Sequence, residues 1–337
     1  MGKIFRLSEK PSCFEATLEL IEKSFHYQKP HSFEIDFAPL IDKSNHHNCF
    51  ILIDENDKVV AHIGAKDTFF SINNADFPVT MLGGIAVDES HRGEGHFQTL
   101  LQDVLAEKRS DTSLFLLWSD LEKLYNKFGF FLCGTQFEIE KGNGVDNNFI
   151  RTTYASLREK EKNEIQNLYK SSFQKEFLGP TRLEADWKLI EKITSADLYI
   201  KKSGENITAY FFMNKGQDLP EIIYEYGTQD SLQSFMQEIL SYGKIWSGKE
   251  VISTEQVQYQ FFMSPGDLRL FTDFVLKLTN GKISIRNINV MKQEVFFDYS
   301  EELHALDTQD FLRGIFGPGT FEELDLPAVF LSGLDSI

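Results

Sequence analysis

The sequence predicts an α/β (α+β) protein with interleaved helices and strands, and three observations predict it. Residues Thr80 to Val87 are largely apolar without a helical period, which is typical of a buried strand. The apolar residues that follow recur at three- and four-residue spacing and form one stripe on a helix ending near Arg109; they are Phe97, Leu100, Leu101, Val104 and Leu105. A similar alternation restarts in the second half. With 337 residues, 42% of them apolar, the chain can form two domains with a core each.

The other elements follow from the same patterns. In the first half these are a helix over Cys13 to Phe25, a loop over Pro30 to Pro39, strands over Cys49 to Asp54, Val59 to Ser71 and Leu114 to Trp118, and a short helix ending at Phe128 to Phe130. Ser119 and Glu122 have the spacing of a capping box for that short helix.

A polar linker from Gly142 to Asn148 precedes the second half. There the predicted elements are helices over Ser156 to Phe173, Glu184 to Ile193 and Ser231 to Tyr242, and strands over Asp197 to Lys202, Ile207 to Met213, Glu221 to Tyr226 and Glu250 to Glu255. Residues 265 to 337 carry weaker patterns, although the apolar residues Val329, Phe330 and Leu331 indicate a segment packed against the protein.

The turn between the central strand and the central helix predicts an anion site. Unpaired N–H groups and the positive end of the helix dipole attract anions at a helix N-terminus. Gly93 and Gly95 lack side chains that would keep a phosphate away, and Arg92 adds a charged donor. The alternative is a tight turn without a ligand. A P-loop is excluded because no Gly-Lys-Ser/Thr follows, and the three spaced glycines of a dinucleotide fingerprint are absent.

Two motifs in order resemble the GCN5-related N-acetyltransferase (GNAT) superfamily. The run Arg92, Gly93, Glu94, Gly95 resembles its coenzyme A loop, and the run from Tyr125 to Phe130 resembles the tyrosine and glycine-phenylalanine motif after its fifth strand. The bulky Phe97 and the segment from Ile72 to Val79 are similar to the enhanced intracellular survival (Eis)-like enzymes.

The resemblance implies a GNAT fold with a mixed central sheet over residues 1–145, followed at 150–337 by a degenerate GNAT-like domain with a C-terminal extension. The second half is expected to lack a coenzyme site, because Gly227 to Asp230 leads directly into a predicted helix. The first domain would bind acetyl-CoA as co-substrate, without a metal. The cofactor-binding residues implied are Ile85, Ala86, Val87, Arg92, Gly93, Glu94, Gly95, His96, Phe97, Ser119 and Asp120.

Thioester aminolysis needs a proton donor for the departing thiolate and an unprotonated amine. The resemblance assigns the donor role to Tyr125, whose phenol is protonated at neutral pH. The alternative is that Tyr125 has no catalytic role and only packs its ring on the inner face of the short helix. The base stays open among Glu34, Asp36 and His62. Eis-like enzymes use the terminal carboxylate, which would be that of Ile337 in this chain.

The net charge and the cysteine count limit the classes of partner and the cellular compartment that are expected. The net charge of -17 disfavours nucleic acid, which needs clustered Lys and Arg, and attracts cationic acceptors, although acidity also serves solubility. Three cysteines without paired spacing argue against disulfides and zinc, and predict a cytoplasmic protein. No membrane span is expected. His46 and His47 are expected in a solvated loop.

The predicted function is an acyl-CoA-dependent N-acyltransferase acting on a small-molecule or peptide amine. The alternative is a noncatalytic acyl-CoA sensor or scaffold, which would need Arg92 and Gly95 but not Tyr125. The sequence leaves open the identity of the acceptor and the preferred acyl length. It also leaves open the oligomeric state, and a homo-oligomer is one of the alternatives.

Overall fold

The structure is a computed structural model that describes residues 2–143, 148–251, 255–257, 260–289, 292–318, 321 and 324–337. Among them no helix has the length and apolar character needed to cross a membrane.

The strands and helices interleave along the chain. The strands are β1 (Lys3–Arg6), β2 (Cys49–Ile53), β3 (Val59–Ile72), β4 (Ala75–Val87), β5 (Leu114–Leu117), β6 (Phe131–Cys133), β7 (Gln136–Ile139), β8 (Ile150–Thr152), β9 (Phe177–Leu178), β10 (Asp197–Ser203), β11 (Asn206–Met213), β12 (Ile222–Thr228), β13 (Lys244–Ser247), β14 (Glu255–Val257), β15 (Phe261–Pro265), β16 (Ile283–Asn289), β17 (Glu294–Tyr299), β18 (Glu302–Asp307) and β19 (Ala328–Val329). The α-helices are α1 (Phe14–Ser24), α2 (Phe33–Asp36), α3 (Ala38–Ile41), α4 (His96–Lys108), α5 (Glu122–Tyr125), α6 (Glu159–Leu168), α7 (Gln174–Glu176), α8 (Glu184–Ile190), α9 (Leu232–Ile239), α10 (Leu268–Leu278) and α11 (Thr308–Phe316).

The first sheet has the order β1-β2-β3-β4-β5-β15-β6, and its β4 and β5 are parallel while the other pairs are antiparallel. β3 and β4 form a long hairpin whose two-residue turn, Asn73 and Asn74, has positive φ angles. Such a turn matches the twist of paired strands, and Asn tolerates that conformation. The apolar stripe predicted for α4 is confirmed, because Leu100, Leu101 and Val104 are fully buried against this sheet.

The second sheet repeats this plan. It has the order β14-β7-β13-β12-β11-β10-β8, and its β12 and β13 are parallel. The helices α6 and α8 lie between β8 and β10 in the chain, and α9 lies between β12 and β13. The same order in the first half is β1, α1, β2 and then β4, α4, β5. The mixed α/β class and the repeated layout that the sequence predicts are therefore confirmed.

The two sheets exchange strands. β7 precedes the linker but lies in the second sheet, whereas β15 comes late in the chain and lies between β5 and β6 of the first. The last part forms a three-stranded sheet of β16, β17 and β18 with α10 and α11 packed nearby. The domain limits 1–145 and 150–337 stay a prediction, and the linker residues 144–147 lie outside the described part.

Several local predictions differ from the structure. The segment expected as a loop over Pro30 to Pro39 contains α2 and begins α3, because its apolar residues pack into the core. His46 is buried in a short helical segment and its ring contacts the carbonyl of Ile41, so the solvated loop was wrong for it. The predicted helix over Ser156 to Phe173 starts at Glu159 and ends in a π-helical turn. The strand β13 was not predicted. A strand was predicted over Glu250 to Glu255, and its residues 252–254 lie outside the described residues.

Candidate active site

The site begins where two parallel strands separate. The pairing of β4 with β5 ends at Leu82 and Leu117, and from there to Val87 β4 is paired only with β3 among the described strands. On its other side, β4 shifts register against β3, so that two residues of β4, Gly84 and Ile85, lie opposite Ile63. A bulge of this kind bends a strand and re-aims its main-chain groups. Free main-chain groups of β4 therefore line an open cleft.

His62 fastens this bulge from inside the core. Its Nδ1 lies 2.7 Å from the carbonyl oxygen of Gly84, and it is fully buried. Burial lowers the pKa of His62 to about 4, and although the contact with Gly84 acts in the opposite direction, the lowering dominates. The imidazole is therefore neutral at pH 7 with its Nδ1–H donating to Gly84. His62 does not line the cleft, which disfavours it as a base.

We expect His62 to make stability depend on pH. Its pKa is about 4 in the folded chain, while an unfolded His has a pKa of about 6.5, so only the unfolded chain takes up a proton between these values. The contribution of His62 to the free energy of unfolding is complete above pH 6.5 and falls as the pH drops toward 4. Between pH 7 and 5 the wild type should lose about 2 kcal/mol more than His62→Gln, measured by urea unfolding. His31→Gln, at an exposed site, is the control and should follow the wild type. Equal losses in wild type and His62→Gln would contradict the expectation.

The turn after β4 leaves room for an anion at the start of α4. Gly93 and Gly95 have φ angles of 84° and 83°, and no atom of the described residues lies within 4 Å of where a Cβ would stand. Gly95 is the N-cap of α4 and caps it with no side chain, so the first N–H groups of this 13-residue helix remain available. Arg92 is exposed, and its nearest ion-pair contact, to Glu89, is a long 3.8 Å. The loop, the helix end and the guanidinium have the arrangement that an anion site requires, and binding of an anion there stays a prediction.

The cleft is part of a cavity of about 1230 Å³. Of the residues predicted for the site, those lining it are Ile85, Ala86, Val87, Arg92, Gly93, Gly95, His96, Phe97, Ser119, Asp120, Tyr125 and Ile337. Glu94 does not line it, because its carboxylate points to His96, 3.2 Å away. Gln98 and Lys127 also line the cavity but were not predicted, because Gln98 follows the first motif and Lys127 stands in the second at a position to which the resemblance gives no role.

Tyr125 is buried at the cavity wall, with 4% of its surface exposed. Its ring packs edge-on against Phe97 at 5.8 Å, so the bulky residue after the turn supports the tyrosine. Burial raises the pKa of Tyr125 to about 12, partly offset by the Ser119 hydroxyl. The phenol therefore keeps its proton throughout the physiological range. The capping box expected of Ser119 was wrong, since its hydroxyl accepts from the N–H of Leu121 and Leu121 is the N-cap.

The far end of the cavity is lined by both halves of the chain. Its walls are aromatic and polar, with Phe25, Tyr27, Phe33, Phe37, Trp118, Trp246, Gln217, Asp218 and Gln260. Asp218 lies at the exposed surface of the cavity. Protein atoms packed around its carboxyl exclude part of the surrounding water and so raise the pKa of that carboxyl. Asp36 is fully buried behind the wall and accepts a hydrogen bond from Tyr27 at 3.2 Å. Neither Glu34 nor Asp36 lines the cavity, although both were named as candidate bases.

Ile337 lies at the strand separation. A Cβ built on Gly83 would overlap the main-chain carbon and oxygen of Ile337, so only glycine lets these main chains approach so closely. Ile337 and Tyr125 line the same cavity. The structure thus brings together residues that are 212 positions apart in the chain, the second of which the sequence marked only through resemblance.

Comparison with known proteins gives a domain match for the first half and similar folds for most of the chain. Residues 8–133 match the family model described as an acetyltransferase (GNAT) domain. Three solved structures each have a TM-score of 0.58: a GCN5-related N-acetyltransferase from Anabaena variabilis (12% identity, covering 94% of this chain and 90% of that one), Eis1 from Mycobacterium abscessus (10%, 91% and 85%) and a conserved protein of unknown function from Enterococcus faecalis (13%, 91% and 85%). At these identities the likeness concerns the fold. No curated protein sequence matches the chain.

Residues 8–133 therefore match an acetyltransferase domain of the GNAT type, and the separated strands and the glycine turn both lie within this part of the chain. In fold the chain is similar to Eis1 over both of its halves, and its second sheet repeats the plan of the first. Enzymes of this family use an acyl-CoA co-substrate.

Proposed function

We propose that the protein transfers an acetyl group from acetyl-CoA to a primary amine by direct attack, with Tyr125 as general acid. One observation carries the proposal. A single cavity runs from the anion site at Arg92 and Gly95, past Tyr125, to the acidic and aromatic far end at Asp218. Donor and acceptor can therefore enter from opposite ends and meet at the strand separation.

The donor end suits coenzyme A. Its diphosphate would accept hydrogen bonds from the turn between Arg92 and Phe97 and from the first N–H groups of α4. The pantetheine arm would lie beside Ile85, Ala86 and Val87 as an added strand, since none of the described strands pairs with β4 there on the β5 side. Ser119 and Asp120, just after β5, would border the arm on its other side.

The chemical step then needs two proton transfers. The thiolate leaves with a proton from Tyr125, whose raised pKa keeps the phenol protonated. The amine loses a proton as its nitrogen bonds to the acetyl carbon and the carbon–sulfur bond breaks. In a chain that ends at Ile337, the terminal carboxylate beside Gly83 would accept that proton.

Release of free thiol from acetyl-CoA tests the proposal directly. Purified protein is mixed with acetyl-CoA and polyamines, aminoglycosides, amino acids or peptides, and thiol is followed with a colorimetric reagent. We expect amine-dependent release. Stabilisation by acetyl-CoA in thermal unfolding, without release with any amine, would favour the noncatalytic acyl-CoA sensor instead.

We expect Asp218 to favour acceptors that carry a second positive charge. Its carboxylate faces the cavity, and Asp36 adds negative charge behind the wall. Diamines of three to eight carbons should therefore have kcat/KM values about tenfold above those of monoamines of equal length, corresponding to about 1.4 kcal/mol. Asp218→Asn should bring the ratio close to one. Asp57→Asn, in an exposed turn, is the control. An unchanged ratio in Asp218→Asn would refute the assignment.

A further inference from the structure

A buried lysine of the second half is placed against the segment that reaches the reaction centre. This segment, residues 332–337, runs from Ser332 to Ile337, and its last residue packs on Gly83. Five of its residues, Ser332, Gly333, Leu334, Asp335 and Ile337, are buried, but it contains no helix or strand. The N–H groups of Asp335 and Ser336 donate to the carbonyl of Ser332 and close a turn within the segment, while side chains from elsewhere fix that turn against the rest of the protein.

Lys215 supplies three of the contacts that do so. Its side chain is completely buried, and Nζ donates to the carbonyl oxygens of Gly333 and Ser336 and to the hydroxyl of Ser336, each at 2.8 Å. An ammonium group has three protons, so this set uses all of them. Nζ also lies 4.0 Å from the ring centroid of Phe37, which lines the cavity wall.

The loop that carries Lys215, residues 214–221 between β11 and β12, is itself fastened to both halves. The side-chain oxygen of Gln217 accepts from the N–H of Gln28 at 2.8 Å, and its amide donates to the carbonyls of Phe25 and His26. At the other end of the loop, the hydroxyl of Tyr224 donates to the carbonyl of Asn214 at 2.8 Å. Lys215 is therefore held fixed relative to the wall from Phe25 to Phe37.

A second contact supports the same segment. Arg182 donates twice to the carboxylate of Asp335 at 2.9 Å and also to Glu225, while its guanidinium stacks on Tyr169 and Trp187. Burial alone would lower the pKa of Arg182, but the charges of Asp335 and Glu225 outweigh it and raise that pKa well above the ordinary value. This pair anchors the middle of the segment, and Lys215 holds the part that enters the cavity.

A fully buried ammonium is costly, because it leaves water and here faces main-chain oxygens. A well-packed apolar residue could fill the same space. The charge of Lys215 is therefore better explained by the positioning of residues 332–337 than by stability. Burial lowers the pKa of Lys215 to about 8, against the opposing charges of Asp218, Asp36 and Asp335, so at pH 7 the group is mostly an ammonium with three donors.

We propose that Lys215 is a positioning residue of the transferase, which sets residues 332–337 against Gly83 and so fixes where the acceptor amine meets the thioester. The proposal rests on the proposed function. It predicts that loss of Lys215 moves Ile337 without affecting the donor end, which lies at the turn from Arg92 to Phe97.

The test is Lys215→Met, a substitution of similar length without donors, measured at pH 7. We expect kcat to fall about 10- to 100-fold, because misplacement by about 1 Å costs this much. The KM for acetyl-CoA should change less than about twofold, because only the acceptor side moves. Amide hydrogen exchange of residues 332–337, measured on the whole protein, should become at least about tenfold faster.

Lys162→Met is the matched control, since Lys162 pairs with Glu191 at 2.8 Å in the same half of the chain but does not contact the segment. It should retain the wild-type kcat and exchange rates. Ser336→Ala removes one acceptor of Lys215 with little disturbance, and a several-fold fall in kcat at an unchanged melting temperature would support the proposal if Lys215→Met fails to fold.

The outcomes separate the two proposals. If the wild type releases no thiol with any amine, the proposed transferase activity fails, while faster exchange in Lys215→Met would still support the positioning of the segment. If the wild type is active and Lys215→Met and Ser336→Ala keep its kcat and exchange rates, the role of Lys215 is overturned.

Discussion

Replacing Tyr125 with Phe should lower kcat by about 100- to 1000-fold, the range expected when a general acid is lost. Phe preserves the ring that packs against Phe97 and Phe262 and removes only the hydroxyl. Binding of acetyl-CoA, measured by calorimetry, should therefore be unchanged. The measurement is a full kinetic profile of both proteins with a saturating amine.

The pH profile makes this prediction sharper. Because the pKa of Tyr125 is raised to about 12, its phenol stays protonated between pH 6 and 10, and activity should rise with pH as the amine loses its proton. Tyr125→Phe should run parallel to the wild type and below it. Tyr199→Phe is the control, since Tyr199 stacks on Phe211 in the second sheet, outside the cavity lining. An unchanged kcat in Tyr125→Phe would remove Tyr125 as the acid.

The donor half of the site could be predicted because its signals are local. The strand, the turn with Gly93 and Gly95 and the stripe on α4 all lie within 30 consecutive residues, and dihedral freedom and helical period decide their structure. Glu94 was predicted to bind the cofactor, but it does not line the cavity, because position in a motif does not say which way a side chain points.

The acceptor half could not be predicted in the same way. Asp218 and Lys215 belong to a loop of the second half that Gln217 fastens to residues 25–28, so that Asp218 lines the cavity and Lys215 contacts the segment that enters it. β15 has an apolar sequence, but its partner β5 precedes it by more than a hundred residues. Hydrophobic pattern identifies a buried strand without identifying its neighbour, so exchange of strands between sheets leaves no local signal.

Substituting valine for Gly95 should weaken acetyl-CoA binding by about 30-fold or more. Gly95 has a φ of 83°, where a β-branched residue costs about 1 to 3 kcal/mol, and the new side chain would enter the open space in front of the α4 N-terminus. The control variant Gly204→Val separates the effect of backbone strain from the effect of losing the anion site. Gly204 has a φ of 62°, also with nothing within 4 Å of a Cβ, and lies in the turn between β10 and β11 outside the cavity lining. Both variants should lose thermal stability, but only Gly95→Val should lose affinity in calorimetry. Equal affinity in the two variants would mean that the diphosphate is bound elsewhere.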